Sequence, residues 1–132
     1  MPYVVIVTIV ALLQFIYLGL MVGRARAKYG IHAPATSGHE MFDRCFRVHV
    51  NTLEQLVVFL PTLWIFAHFI SPIWGAGFGV VFIIGRAVYA LAYQRDPKSR
   101  SLGFALSAIP MLSMMLWLLV WAIGAIASGA AS

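Results

Sequence analysis

The sequence predicts an all-α membrane protein, a single four-transmembrane-helix bundle, and three observations carry that expectation. Hydrophobic residues make up 62% of the 132-residue chain and charged residues only 10%, against roughly 25% charged in a soluble domain. Four apolar segments, at 3–23, 52–70, 76–93 and 102–126, each approach the ~20 residues that a helix needs to cross ~30 Å of hydrocarbon. All nine Lys and Arg lie in or beside only two of the three connections. No segment alternates as a barrel strand would, and lipid offers the backbone no hydrogen-bond partners, so helices are the expected solution. The length suits one domain, 1–132, with helices expected at 3–27, 40–70, 76–95 and 100–128.

The first segment contains no Lys or Arg before Arg24 and closes on no convincing small-residue cleavage pattern, so it reads as a retained span and not a signal peptide. Residues 28–40 (KYGIHAPATSGHE) are rich in Gly, Pro, Ser and Thr and read as a loop. Ser37 or Gly38 is placed to precede a helix start, with Glu40 and Asp43 in the first turn, where acids favour the helix dipole. That second helix then runs inward past Glu54, and Pro61 is expected to loosen or kink it. Ser71-Pro72-Ile73-Trp74-Gly75 reads as a tight turn before helix three. Asp96-Pro97-Lys98-Ser99 reads as another, with Arg100 at the mouth of helix four. Small residues at Gly75, Gly77, Gly79, Gly85, Gly124, Ala127 and Gly129 suit close helix contact and suggest self-association.

Arg24, Arg26, Lys28, Arg44 and Arg47 belong to the first connection, and Arg86, Arg95, Lys98 and Arg100 to the third. With every base on one face, the positive-inside rule makes that face cytoplasmic and puts both termini outside. The net charge of +5 therefore reflects membrane orientation, and no nucleic-acid partner is expected. The lone Cys45 excludes an internal disulfide and a thiolate metal cluster, and reads as a small apolar filler. His32, His39 and His68 are scattered, so no metal site is expected.

Arg47, Asn51 and Glu54 are spaced i, i+4, i+7 and share one face of helix two, with Arg44 on the same stripe and His49 pointing elsewhere. Arg86, Tyr89 and Tyr93 make a second stripe on helix three, with Arg86 deeper than simple snorkelling prefers. An ionisable residue at that depth is a functional hypothesis that demands a partner. Guanidinium, carboxylate, amide and phenol groups around one pocket suit a small zwitterionic or anionic ligand. Spacing alone leaves open whether Glu54 meets a ligand or simply pairs with Arg47 or Arg86, and whether the tyrosines are an interfacial belt.

Arg47-Val48-His49-Val50-Asn51-Thr52-Leu53-Glu54 resembles the helix-two signature of the MAPEG superfamily, the membrane-associated proteins of eicosanoid and glutathione metabolism. Arg86, Tyr89 and Tyr93, followed by a basic turn and Arg100, resemble its helix-three signature and its catalytic arginine. Residues 22–29 and 85–100 are particularly similar to type-three microsomal glutathione transferases, and the resemblance covers essentially the whole chain. It implies a homotrimer with glutathione sites between subunits. Arg47, Asn51, Glu54, Arg86, Tyr89 and Tyr93 of one subunit would contact glutathione, His49 and either Arg24 or Arg26 would reach in from the neighbour, and Arg100 would face the thiol. The implied reaction is attack of a glutathione thiolate on a lipophilic electrophile or a lipid hydroperoxide in a bacterial inner membrane. Gln55 stands where leukotriene-forming members often carry an aromatic, which argues against leukotriene chemistry. A non-catalytic lipid-binding or glutathione-binding member of the same superfamily, or a small transporter subunit using Glu54, are the competing expectations.

Overall fold

The computed structural model describes residues 1–129. Four helices follow one another: α1 Pro2–Tyr29, α2 Glu40–Phe69, α3 Pro72–Arg95 and α4 Ser101–Ala127, with a 3₁₀ turn Pro97–Ser99 before the last. All four are long and apolar enough to cross a membrane. The expected single domain, 1–132, extends past the described residues at its end.

Local chemistry sets the helix ends. Gly30, at φ 67°, closes α1 in the left-handed conformation and sends its N–H to the Arg26 carbonyl. His39 is the N-cap of α2, one or two residues later than Ser37 or Gly38, and its Nδ1 accepts from Met41 N at 3.1 Å. Glu40 and Asp43 lie in the first turn as expected, and Asp43 accepts from Gly38 N at 3.1 Å. The expected turn at residues 71–75 is shorter than its composition suggests. Ser71 caps α3, accepting from Trp74 N at 3.2 Å, and Pro72 occupies the first helical turn, where its missing N–H costs nothing. α2 runs through Pro61 as one helix, and the Thr62 hydroxyl donates to Val58 O at 2.7 Å.

α2 and α3 form the central pair, with α1 packed against both and α4 packed mainly on α3. The apolar core gathers Val4, Val7, Leu63, Phe66 and Met114, with Phe59 and Phe82 stacked face to face at 3.9 Å. Outward positions such as Val57, Ile73, Leu91, Leu116 and Val120 are apolar and exposed, the pattern of a surface that meets lipid. Three of those small residues, Gly75, Gly79 and Gly85, serve contacts within the chain. A Cβ on Gly85 would stand 2.6 Å from Leu106 C and Ser107 N, and one on Gly103 2.3 Å from Tyr89 N. α3 and α4 therefore cross nearly backbone to backbone. Gly75 and Gly79 also face inward, whereas Gly77 and Gly124 meet nothing within 4 Å among the described residues.

Candidate active site at the basic end of the bundle

The close crossing of α3 and α4 carries the start of α4 to the side of Tyr89. Helical spacing brings Arg47 and Asn51 of α2 to the same place. Together Arg47, Asn51, Tyr89, Tyr93, Arg100, Ser101 and Phe104 line a cleft of about 520 Å³, within the ~300–1,000 Å³ usual for small-molecule sites. Two of its walls are guanidinium groups, and among the described residues no carboxylate lines it. A wider depression of about 680 Å³ adjoins it, sharing Arg47 and Tyr93 and bounded by residues 36–40, Asp43 and Arg44. The wider one lies between residues 36–39 of the loop and the first turns of α2. The narrower one gathers the arginine, amide and phenol groups of three helices.

Arg86 lies behind the cleft and not in its lining. It is 0% exposed, and its Nη2 donates to Asn51 Oδ1 at 2.8 Å and to Thr52 Oγ1 at 2.9 Å. Its guanidinium sits 4.4 Å from the centre of the Tyr89 ring. Tyr89 and Tyr93 stack with centroids 5.6 Å apart. Glu54 stands one turn deeper on α2, outside the cleft lining, with its Oε1 3.9 Å from Arg47 Nη1 and both side chains about half exposed. Of the two partners its spacing allows, Glu54 is within ion-pair distance of Arg47.

His49, Arg24 and Arg26 are not at the cleft of their own chain. The His49 ring stacks on Phe15 of α1 at 4.5 Å. Arg26 donates to Ala35 O at 2.7 Å and lies 4.9 Å over the Phe42 ring, so it fastens the 30–39 loop. Arg24 is exposed on the outer side of α1.

A model of the MAPEG family matches residues 4–120. The chain belongs to the MAPEG family. This MAPEG protein is 44% identical over 110 residues to an uncharacterized protein of Synechocystis, covering 83% of this chain and 80% of the relative. It is 37% identical over 101 residues to microsomal glutathione S-transferase 2 of Homo sapiens, covering 76% and 69%. It is 34% identical over 114 residues to leukotriene C4 synthase of Mus musculus, covering 86% and 73%. Family and apolar spans together make it an integral membrane protein.

The MAPEG chain uses residues that spacing does not point to. Thr52 neighbours Asn51 in sequence and so lies about 100° around the helix, off the Arg47–Asn51 stripe, yet it reaches Arg86. Phe104 stands four residues after Arg100, a spacing that could have put it on the same face of α4. Arg44 departs from the stripe assigned to it. It pairs with Glu40 and donates through Nη1 to Gln94 O at 2.9 Å and Arg95 O at 3.0 Å, the open carbonyls at the end of α3. Those carbonyls lead directly into the Pro97–Ser99 turn and Arg100. Arg44→Gln is expected to cost about 1–2 kcal/mol by releasing them, read as a lower thermal midpoint in detergent. An unchanged midpoint would mean that the α3 end is held by other contacts.

Proposed function

We propose that this MAPEG protein is a membrane-bound glutathione transferase, with glutathione peroxidase activity on lipid hydroperoxides as a second use of the same site. The observation that carries the reading is the carboxylate-free cleft in which Arg100 and Arg47 face Asn51, Tyr89 and Tyr93. Such walls hold hydrogen-bond donors and positive charge toward a ligand rich in carboxylate and, once ionised, thiolate. The name of the human relative supports glutathione as the co-substrate.

In this reading Arg47, Asn51, Tyr89 and Tyr93 bind glutathione, Glu54 takes its ammonium, and Arg86 supports the binding wall. Arg100 stabilises the thiolate. The sulfur then forms a bond to an electrophilic carbon as the leaving group departs with the electron pair. With a hydroperoxide, the thiolate attacks the terminal oxygen and the O–O bond breaks, leaving a sulfenic acid and an alkoxide that takes a proton from water to become the alcohol; a second glutathione then converts the sulfenic acid to disulfide and water. Apolar substrates arrive from the lipid, past the exposed Phe104 at the cleft edge.

We further assign a homotrimer in which His49 and Arg24 complete a neighbour's site. Arg24 is preferred to Arg26 because Arg26 is already occupied by the Ala35 carbonyl and the Phe42 ring. The basic end faces the cytoplasm in the inner membrane of a bacterium, with both termini outside. The deciding measurement is glutathione titration of purified, detergent-solubilised protein by calorimetry. Saturable binding at or below millimolar concentration is expected, and its absence would sink the assignment.

A further inference from the structure

We propose that Thr52 is a positioning residue that, through Arg86, sets which end of the Asn51 amide faces the cleft. The inference deepens the glutathione assignment and rests on it. A guanidinium carries five N–H donors and no acceptor. Buried in the bundle, Arg86 meets acceptors among the described residues on Nη2 alone, from Asn51 Oδ1 at 2.8 Å and Thr52 Oγ1 at 2.9 Å, while its Nε and Nη1 find none there. Thr52 is an effective acceptor because its own hydroxyl hydrogen is committed elsewhere. That hydrogen points to the Val48 carbonyl at 2.8 Å, which leaves the oxygen lone pairs turned to Arg86.

The consequence falls on Asn51. Arg86 can only donate, so Asn51 must present its oxygen to Arg86 and its NH2 end to the cleft that it lines. The opposite orientation would put a carbonyl oxygen into the cleft, where it repels a carboxylate or thiolate. Thr52 and Asn51 together hold Nη2, and the Tyr89 ring 4.4 Å away limits motion across the plane. Without Thr52 the guanidinium has one anchor and is free to swing toward other acceptors, releasing the amide. Arg86 thus acts through Asn51 and Tyr89, which touch the cleft, while it stays behind them.

The test uses the full chain in detergent, with glutathione as the titrant and thermal unfolding measured in parallel. Thr52→Val is expected to weaken glutathione binding about tenfold, the size of one hydrogen bond to a charged group, with the number of competent sites unchanged. Thr52→Ser, which keeps the hydroxyl, should return within about twofold of the parent. Asn51→Asp keeps an acceptor for Arg86 but replaces the cleft NH2 with a carboxylate oxygen, and should weaken binding by more than about tenfold while the protein still folds. Equal affinity in Thr52→Val or Asn51→Asp overturns the inference, as does failure of Thr52→Ser to restore binding. Fewer competent sites at unchanged affinity would show a purely structural Thr52 and overturns it too. Absence of glutathione binding in the parent protein removes both this inference and the function it rests on.

Discussion

Arg100→Ala is expected to lower the thiolate absorbance of bound glutathione about 25-fold at pH 7 while the tripeptide still binds through Arg47, Asn51 and the two tyrosines. A free thiol has a pKa of about 8.5 and is a few per cent ionised at neutral pH. Lowering it by about two units requires ~2.7 kcal/mol of preference for the anion. One guanidinium at about 4 Å in a medium of effective dielectric ~20 supplies ~4 kcal/mol before desolvation. Arg100 alone is therefore sufficient. Conjugation of a chloronitrobenzene should fall by less than the thiolate signal, because a more basic thiolate is a better nucleophile, with a Brønsted coefficient of about 0.4–0.5. The rate should instead climb as pH rises toward about 8.5, since ionisation then follows the free thiol. Turnover, thiolate signal and pH profile all matching the parent would remove Arg100 from the chemistry.

Gly103→Ala should damage stability and binding together. An added Cβ would lie 2.3 Å from Tyr89 N, 2.4 Å from its Cα and 2.7 Å from its Cβ. These are backbone and branch-point atoms that no rotamer change can move aside. α3 and α4 must separate, and overpacking of this kind costs about 1–3 kcal/mol or more. The first turn of α4 carries Phe104 and follows Arg100, so both retreat from Tyr89 as the helices part. The expected result is a lowered thermal midpoint with glutathione affinity reduced roughly tenfold or more, the equivalent of ~1.4 kcal/mol. Gly124→Ala, in the same helix with none of the described residues within 4 Å, serves as the comparison. There the helix gains up to about 1 kcal/mol from the better helix former. If Gly103→Ala melts and binds like Gly124→Ala, the crossing is not the element that builds the cleft.

The stripe of Arg47 and Asn51 and that of Tyr89 and Tyr93 were legible in the sequence because a shared helix face depends only on the 3.6-residue period. The cleft indeed takes all four. Glu54 shares their face but not their depth, and Arg44 shares their spacing but turns to the end of α3. Charge spacing along a helix does not reveal that a neighbouring helix ends within reach with its last carbonyls open. The run of small residues was legible as close packing, but the same glycines serve contacts within a chain or between chains, and sequence does not distinguish the two.

Spans and the gathering of bases at one end follow from the order of residues alone, since hydrophobic length and charge placement are local quantities. The depth of Arg86, its two anchors on α2 and the use of Thr52 are different in kind. They depend on how far two helices approach and how each is rotated about its axis. On the α2 side Gly75 rests against Leu63 and Phe66, and at the α3–α4 crossing Gly85 and Gly103, lacking a Cβ, let one backbone rest against the other. A side chain's partners across such a crossing are decided by packing between helices, and no period within a single helix encodes them.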